Sequence, residues 1–332
     1  MTIRALGLFG GGLDSVLARE WLRRQSVRVE CVHFRTGFVN DAYRPVARSL
    51  DDADDAAVVE TIDVSRDYLR QVVLEPKYGY GSAMNPCVDC RIFMLRRANE
   101  LARSRGSDLL FTGEVVGQRA MDQSRHALAT TEREAGVEGR VLRPLSAGLL
   151  GPTDAEREGR LALRERPRLH GSTRRGQLEL ARRLGIEDFP TPSGRCCKLA
   201  DPAFARRLRD LLEHRDETAR TEEDLERLDR GRHFRLAWDL KVIVGRDEEE
   251  SRWLGEHVGD DWIARAADGR GALALVEGTP RDEQTEAVGA VVARYAGQRG
   301  EEEVEVELRR GEERRRLVAK PASEDELARR RI

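Results

Sequence analysis

Short apolar runs and amphipathic segments alternate along the first third of the chain. The run IRALGLF (Ile3–Phe9) is followed by three glycines and then by LDSVLAREWLRR, in which apolar residues recur at helical spacing. RVECVHF (Arg28–Phe34) and VVETIDV (Val58–Val64) have the length and the β-branched content of buried strands. A strand, a helix and a second strand in this order predict a βαβ unit, and therefore an α/β fold with a parallel sheet.

The same alternation continues to about residue 212. SRDYLRQVVL predicts a helix with Ser65 as its N-cap, and RIFMLRRANELARSRG predicts a helix that ends at Gly106. SDLLFTGE predicts another buried strand, and GQLELARRLGI predicts a further helix. Glycine, charge and short apolar runs are mixed between Val115 and Pro152, which predicts surface loops around a site.

The pattern changes near residue 232. HFRLAWDLKVIVG and ALALVEG predict short strands, EQTEAVGAVVARYAGQRG predicts a helix, and EEVEVELRRGEERRRLVAK predicts two strands that meet at Arg310–Gly311. We therefore predict an α/β domain over residues 1–212, a charged helical linker over 213–231 and a smaller α/β domain over 232–332. The smaller domain contains no motif that carries chemistry, and the sequence leaves its role open.

Charge and composition narrow the class of protein. Charged residues make up 36% of the chain, yet the formal net charge is −2, so the chain as a whole lacks the electrostatic signature of a nucleic-acid-binding protein. The C-terminal arginines alternate with glutamates, which favours a solvated face. They are Arg294, Arg299, Arg309, Arg310 and Arg314 to Arg316. No apolar run is long enough to cross a bilayer and no signal-peptide pattern is present, so we expect a cytoplasmic protein without a membrane partner.

The glycine loop in GLFGGGLDS (Gly7–Ser15) is compatible with only some ligands. A dinucleotide loop needs G-x-G-x-x-G and a carboxylate at the end of the second strand, but Ser15 replaces the third glycine and that strand ends HFRT. A Walker loop needs a lysine, which this region lacks. The remaining interpretation is a loop whose N–H groups bind pyrophosphate at a helix N-terminus, with an ordinary glycine-rich turn as the alternative.

The pyrophosphate interpretation gives each loop residue a task. Gly10, Gly11 and Gly12 allow the backbone to approach the phosphates closely, and Ser15 donates a hydrogen bond to a phosphate oxygen. Asp14 beside phosphates requires a cation to offset its charge, which predicts Mg²⁺. Asp14 is therefore the residue that distinguishes this loop from an ordinary turn.

Cysteines form a second candidate site. NPCVDC supplies Cys87 and Cys90 directly before a helix, and GRCC supplies Cys196 and Cys197. Four thiolates could hold a structural zinc, but adjacent cysteines rarely ligate one ion together, and three cysteines leave one position of an iron–sulfur cluster open to a ligand. A persulfide on one cysteine, resolved by another as a disulfide, needs no metal. Cys31 lies in a predicted strand, where we expect it to pack in the core.

Together these motifs resemble a known family. GGGLDS resembles the PP-loop S-G-G-x-D-S of the N-type ATP pyrophosphatases, with Gly10 where that family carries serine. NPCVDC, FTGEVVGQRAMDQ, RPLSAGLL and the late cysteine pair are similar to motifs of the PP-loop tRNA thiolation enzymes, both 4-thiouridine synthetase-like and 2-thiouridylase-like. The likeness covers about residues 3–212 and implies a PP-loop domain with a parallel, Rossmann-like sheet of the adenine nucleotide alpha hydrolase type.

The resemblance implies ATP-dependent replacement of a uridine carbonyl oxygen by sulfur. ATP adenylates the oxygen, pyrophosphate leaves, a sulfur nucleophile attacks the carbon, and AMP departs. The implied substrate is tRNA, the implied sulfur donor is sulfide or a persulfide, and the implied cofactors are ATP, Mg²⁺ and a [4Fe–4S] cluster, with zinc as the alternative metal. The oligomeric state stays open, with a dimer as one option.

The same resemblance assigns roles to individual positions. Catalysis falls to Asp14 and to three cysteines that would also hold the cluster. These are Cys87, Cys90 and Cys197, with Cys196 as the alternative to Cys197. Nucleotide binding falls to five loop residues and to three later positions. They are Gly10, Gly11, Gly12, Asp14 and Ser15, followed by Phe34, Gly113 and Gln118. Arg119 and Asp122 follow in the same segment, where a solvated loop is the alternative.

Other functions remain compatible with the sequence. Sulfur transfer to a small molecule uses the same loop and cysteines, because the sequence shows no RNA-binding module. A PP-loop ligase that amidates its substrate is disfavoured, since the cysteines are split between two distant segments. A weakened protein that binds ATP without turning it over is also disfavoured, because pure binding needs neither Asp14 nor the cysteines.

Overall fold

The computed structural model describes residues 2–39, 59–187, 189, 197–216, 222–296 and 303–332. The chain divides into two compact units, Met1–Asp201 and Pro202–Ile332. Each unit has its own sheet and its own hydrophobic core.

A parallel sheet of five strands, in the order β3-β2-β1-β4-β5, forms the centre of the first unit. The strands are β1 (Arg4–Leu8), β2 (Arg28–Arg35), β3 (Val59–Asp63), β4 (Leu109–Thr112) and β5 (Val141–Leu142). Gly7 of β1 leaves room for the ring of Phe111 on β4, because an added Cβ would lie 2.1 Å from that ring. The predicted α/β fold with a Rossmann-like parallel sheet is confirmed.

Six helices accompany this sheet in the described part of the first unit. They are α1 (Leu13–Arg23), α2 (Ser65–Tyr68, continued by a π-helical turn over Leu69–Val73), α3 (Cys87–Arg105), α4 (Arg125–Ala135), α5 (Asp154–Arg157) and α6 (Arg175–Leu184). Helix α1 places Leu17, Trp21 and Leu22 in the same core cluster as Phe111 and Leu145. Burial of this apolar face holds the helix against the sheet directly after the glycine loop.

Two local predictions in this unit are wrong. The segment from Val115 to Pro152 contains α4 and β5 in addition to loops. Helix α4 carries ordinary boundary signals, because the Ser124 side chain accepts a hydrogen bond from the Ala127 N–H and Gly136 ends the helix in the left-handed region. Ser65 is the first residue of α2 and not its N-cap, and its N–H donates to Asp63 Oδ1 at 2.8 Å.

The second unit is built on an antiparallel sheet in the order β11-β10-β8-β9-β7-β6. Its strands are β6 (Arg232–Ala237), β7 (Leu240–Val244), β8 (Trp262–Ala266), β9 (Ala274–Glu277), β10 (Val304–Arg310) and β11 (Glu313–Ala319). Its helices are α7 (Pro202–His214), α8 (Glu222–Arg227), α9 (Glu248–Glu256), α10 (Asp282–Ala296) and α11 (Glu324–Arg330). The sequence pattern did not indicate β8 or α11.

The structure groups α7 with the second unit, whereas the sequence-based boundary is at residue 212. Asp210 accounts for this grouping, since both of its carboxylate oxygens accept hydrogen bonds from Arg235, at 2.9 and 2.6 Å. Lys241 Nζ lies 3.9 Å from the same carboxylate. Within the described ranges, no helix combines the length and the apolar content that a membrane span requires.

Candidate nucleotide and cysteine site

The candidate site lies at the carboxyl edge of the parallel sheet, where the strand order reverses. The chain moves from β1 outward to β2 and β3 and then returns to β4 on the other side of β1. Loops that leave β1 and β4 therefore separate from each other at this edge, which is where open α/β sheets bind ligands. The glycine loop follows β1, and the segment from Gly113 to Gln118 follows β4.

The backbone of the glycine loop is arranged as an open helix N-terminus. Gly11 has a φ of 76°, in the region that favours glycine, and Gly12 is the N-cap of α1 without a side-chain hydrogen bond. The Ser15 hydroxyl donates to the Gly12 carbonyl oxygen at 2.7 Å. In the part of the chain that is described, the N–H groups of Gly10, Gly11 and Gly12 have no hydrogen-bond partner. Unpaired N–H groups at a helix start are suited to bind an anion.

Asp14 stands in the first turn of α1 with one satisfied and one unsatisfied oxygen. Gln118 Nε2 donates to Asp14 Oδ2 at 2.9 Å, and Arg174 Nη2 lies 4.0 Å from the same oxygen. Asp14 Oδ1 is buried and has no hydrogen-bond partner among the described residues. A buried carboxylate oxygen without a partner is costly unless a cation or another donor satisfies it. The site therefore fits the Mg²⁺ that the sequence implies.

Gly113 brings the end of β4 against the glycine loop. A Cβ at this position would lie 2.6 Å from the backbone of Asp14 and Ser15, so only glycine allows this approach. The structure thus brings Asp14 and Ser15 together with Gly113 and Gln118, which follow about a hundred residues later in the sequence.

Gly10, where the resembled loops carry serine, has room for a side chain. A Cβ at Gly10 would have no atom within 4 Å, whereas any side chain at Gly11 would be strained by its positive φ. We expect Gly10→Ser to leave the ATP-dependent release of pyrophosphate equal or higher. Gly11→Ser is expected to raise the KM for ATP by roughly 5- to 30-fold, which corresponds to about 1–2 kcal/mol of left-handed strain. Steady-state pyrophosphate assays on both variants test this, and a large loss in Gly10→Ser would contradict it.

Phe34 lies near the end of β2, beside the start of the glycine loop. The Phe9 N–H donates to the Val32 carbonyl oxygen at 2.9 Å, and His33 Nδ1 lies 3.0 Å from the Phe9 carbonyl oxygen. Burial lowers the pKa of His33, and the hydrogen bond to Phe9 only partly opposes this shift. The imidazole is therefore neutral at pH 7, and Nδ1 carries the proton because a carbonyl oxygen only accepts. The predicted role of the Phe34 backbone in adenine binding stays a prediction.

The buried side chain of Tyr68 is within electrostatic reach of the three cysteines assigned from sequence. Burial raises the pKa of Tyr68 well above 10, and the charges of Cys90, Cys197 and Cys87 raise it further, together with a hydrogen bond to Cys90. The Tyr68 ring packs against Phe38 and Phe93, with ring centroids 6.1 and 5.7 Å away. Sequence reasoning missed Tyr68, because nothing in SRDYL distinguishes it from an ordinary core residue.

Backbone pairing brings the late cysteine to the early pair. Cys197 forms a β-bridge with Val39, and the Lys198 N–H donates to the Phe38 carbonyl oxygen at 2.8 Å. The Met84 N–H donates to the Leu199 carbonyl oxygen at 3.0 Å, which holds the same segment close to NPCVDC. These contacts are non-local and leave no trace in the spacing of the cysteines.

Thiolates are the donor groups of iron–sulfur clusters and of many zinc sites. Asn85 Nδ2 donates to Cys87 Sγ at 3.2 Å, which supports that sulfur at the start of α3. Among the residues that the structure describes, no group of three or more cysteine, histidine or acidic side chains is arranged to hold a metal ion. Cys196 lies outside the described residues, so the choice between Cys196 and Cys197 stays a prediction.

Cys31 is separate from this group. It is a residue of β2 with its side chain in the core, and burial raises the pKa of its thiol to about 12. Because the reactive form of a thiol is the thiolate, we expect Cys31 to stay unmodified by iodoacetamide at pH 8 in the folded protein. Peptide mass spectrometry after labelling checks this, with labelling in urea as the control. Modification of Cys31 in the folded protein at the rate seen in urea would contradict its burial.

A buried network of charges connects the cysteine helix to the nucleotide segment. Glu114, next to Gly113, is fully buried between Arg91 Nε at 2.8 Å and Arg143 Nε at 3.0 Å. Arg91, next to Cys90, also lies 3.6 Å from Asp122. Burial acts to raise the pKa of Glu114, but the charges of Arg91 and Arg143 outweigh it, so the pKa is lowered. Asp122 is thus buried rather than part of a solvated loop, whereas Arg119 is half exposed and lies 3.8 Å from it.

Fold and site define the first unit as an α/β domain of the PP-loop type. A family model described as "Thiamine biosynthesis protein (ThiI)" matches residues 2–148. The resemblance to the PP-loop thiolation enzymes is therefore confirmed over that region. A second family model, described as "NFACT protein RNA binding domain", matches residues 231–330, a likeness that the sequence motifs did not indicate.

One curated relative is similar to part of the chain. The chain is 28% identical over 132 residues to the tRNA-specific 2-thiouridylase MnmA of Petrotoga mobilis. The aligned region covers 34% of this chain and 35% of that protein. The chain thus spans about a third of the length of this curated relative.

Two solved structures show only weak similarity. The C-terminal part of the fibronectin/fibrinogen-binding protein of Streptococcus suis has 17% identity and a TM-score of 0.28, over 40% of this chain and 62% of that one. A predicted subunit of tRNA methyltransferase from Methanocaldococcus jannaschii has 17% identity and a TM-score of 0.31, over 59% and 96%. At such TM-scores neither likeness bears on the function.

Proposed function

We propose that this protein is an ATP-dependent sulfurtransferase that acts on uridine in tRNA. The observation that carries the proposal is the placement of two reactive groups at one edge of the sheet. The open glycine loop with the unsatisfied Asp14 oxygen follows β1, and the cysteine helix α3 begins at the same edge. Helix α3 ends at the opposite edge, where Arg105 pairs with Glu30 near the start of β2 and with Glu60 near the start of β3.

The first half of the reaction transfers the adenylyl group. The uridine carbonyl oxygen attacks the α-phosphorus of ATP, the bond to the β-phosphate oxygen breaks, and pyrophosphate leaves. The free N–H groups of Gly10 to Gly12 would bind the pyrophosphate, and Gly113 would let the nucleotide lie close to the loop. Mg²⁺ held by Asp14 would neutralise the charge that develops on the leaving group. Gln118 would orient the Asp14 carboxylate through its 2.9 Å hydrogen bond.

The second half replaces oxygen with sulfur. A sulfur nucleophile attacks the activated carbon, and AMP leaves with the former carbonyl oxygen. Cys87, Cys90 and Cys197 would hold a [4Fe–4S] cluster, which when bound supplies an iron that can carry the incoming sulfide. A persulfide on one of these cysteines, resolved as a disulfide by another, is the second candidate, because all three thiols act on the same Tyr68 hydroxyl group and a persulfide needs no metal. Zinc held by the same thiols is the third.

The RNA-binding family likeness of residues 231–330 supports tRNA as the substrate. The C-terminal unit would then supply the tRNA contacts for a catalytic unit that has no RNA-binding module in its own motifs. A small-molecule acceptor would leave this likeness unexplained.

A reconstituted reaction tests the proposal. The full chain, purified without oxygen, is incubated with unmodified bulk tRNA, ATP, Mg²⁺ and sulfide, and tRNA nucleosides are then analysed by mass spectrometry. We expect a thiolated uridine, AMP and pyrophosphate in equal amounts, with no thiolation by Cys90→Ser. Iron content and absorption near 400 nm distinguish a cluster from zinc or a persulfide. ATP binding without release of AMP or pyrophosphate would overturn the enzyme assignment.

A further inference from the structure

Among the described residues of the second unit, no helix covers one face of the antiparallel sheet along β8, β10 and β11. Helix α10 covers the opposite face, where Val288 and Val292 join a core with Trp262, Val306 and Leu308. Helix α9 covers the near face only at β7 and β9, through the small cluster of Ile243, Leu254 and Leu275. The remaining strands on this face therefore present their alternate residues to solvent.

Four exposed arginines share this open face: Arg265, Arg309, Arg314 and Arg316. Strand register places them in two rows, with Arg309 directly opposite Arg314 and with Glu307 between Arg265 and Arg316. The hydrogen bond from Arg316 lowers the pKa of Glu307, and the charges of Arg314 and Arg265 add to this. Glu307 is thus within electrostatic reach of Arg265, Arg314 and Arg316. We call these four residues the arginine face.

The row formed by Arg309 and Arg314 is unfavourable for the fold itself. Like charges directly opposite each other on adjacent strands destabilise a sheet. Within the described ranges, neither arginine forms an ion pair, and neither does Arg265. Only Arg316 has acidic partners, at 2.8 Å from Glu307 and 3.9 Å from Glu305. The arginine face thus carries an excess of two positive charges over Glu305 and Glu307, and an anion would remove the repulsion.

The neighbouring arginines of the same hairpin differ in having structural partners. Arg310 and Arg315 lie over the Trp262 ring, at 4.7 and 4.5 Å from its centre. Both also pair with Glu313, and Arg315 donates to the Pro280 carbonyl oxygen at 2.6 Å. The structure therefore separates the C-terminal arginines into a structural pair and an open set, which the alternating sequence pattern did not distinguish.

We propose that the arginine face binds the phosphate backbone of the RNA substrate, with Arg309 and Arg314 as its principal phosphate contacts. This inference rests on the proposed function, because the RNA partner comes from it. Guanidinium groups bind phosphate oxygens through paired hydrogen bonds, and a row of them on a flat sheet follows a charged backbone without reading its bases. Glu307 holds Arg316 in place and leaves the Arg309–Arg314 row free for phosphate.

Binding of bulk tRNA by the full chain tests this inference. The variant Arg309→Gln/Arg314→Gln is compared with Arg252→Gln/Arg281→Gln, which removes two exposed arginines of the same unit that pair with Glu248 and Asp239. We expect the first variant to bind tRNA roughly 10-fold more weakly at about 0.1 M salt. Its binding should also depend less steeply on salt, with the magnitude of the slope of log K against log salt reduced by about 2. The control variant should bind like the wild type.

Thermal unfolding separates a binding role from a structural one. Removal of two opposed like charges should leave the unfolding midpoint of Arg309→Gln/Arg314→Gln unchanged or raised. Weaker tRNA binding accompanied by a lower midpoint would overturn the inference. The inference would also be overturned if Arg309→Gln/Arg314→Gln bound tRNA as tightly as the control variant while the wild type binds and thiolates tRNA. If the wild type binds no tRNA at all, the proposed function fails together with the inference.

Discussion

Asp14→Asn is expected to lower ATP-dependent pyrophosphate release by at least about 100-fold, on the scale of losing one electrostatic contact to a transition state. Asparagine has the same size and keeps an oxygen that can accept from Gln118 Nε2, so the 2.9 Å contact and the local fold should survive. It loses the negative charge and the unsatisfied Oδ1, which is the atom that a cation would use. Pyrophosphate release with tRNA and sulfide present, measured over a range of Mg²⁺ concentrations, gives the effect.

Glu20→Gln is the matched control for this prediction. Glu20 is on the same helix and pairs with Arg23 and Arg24 at 3.6 and 3.2 Å, so its loss removes a carboxylate without reaching the loop. This variant should keep nearly full activity, because such surface pairs contribute little. Asp14→Asn activity within about threefold of Glu20→Gln, a difference of less than 0.7 kcal/mol in activation free energy, would show that the loop does not use a cation.

Much of the nucleotide half of the site could be predicted because its signals are local. The glycines, Asp14 and Ser15 fall within six residues, and a strand–loop–helix order fixes where their N–H groups point. The contact between Asp14 and Gln118 is different, because it spans 104 residues and depends on β4 returning to the side of β1. Only the family resemblance, not the spacing, placed Gln118 and Gly113 at this loop.

The assignment of the cysteines to one site stays a prediction, and the contacts that position Cys197 could not be predicted from the sequence. Cys87 and Cys90 are neighbours on α3, whereas Cys197 arrives through a β-bridge to Val39 that no periodicity reveals. Tyr68 was missed for the same reason, because its link to the site depends on cysteines that are distant in sequence. In the second unit, the pairing of Arg309 with Arg314 depends on the register of one hairpin. Alternation of charge in the sequence could not show which residues become opposed.

Buried charge is the feature that sequence reasoning handles least well in this chain. Charged residues are so common, at 36%, that Glu114, Arg91 and Arg143 have no distinguishing local context. Yet Glu114 and Arg143 are almost fully buried. Removing a charge from water costs free energy, and the opposite charge of the partner offsets that cost for each of them. The network joins the residue after Cys90 to the residue after Gly113, so its stability and the geometry of both half-sites depend on the same carboxylate.

Glu114→Gln is therefore expected to destabilise the first unit by about 3 kcal/mol, the lower end for breaking a buried ion pair. It leaves the buried guanidinium group of Arg143 and the half-buried one of Arg91 with too little negative charge. For a unit of this size the unfolding midpoint should fall by about 6–12 °C. Asp122 and Glu132, which contact Arg91 and Arg143, compensate only in part. Thermal and urea unfolding of the full chain measure the change.

The pH dependence gives this prediction its sharpest test. The lowered pKa of Glu114 means that its contribution is fully present above the ordinary glutamate pKa of 4.5 and is lost as pH falls through the lower folded-state value. The stability gap between wild type and Glu114→Gln should therefore be constant from pH 8 to about pH 5 and should narrow in more acidic solution. Glu138→Gln, which removes an exposed carboxylate of the same unit, should show no gap at any pH. A gap at Glu114 that widens with acid would mean that the buried carboxyl is protonated in the native protein, and that Arg91 and Arg143 do not hold it as a carboxylate.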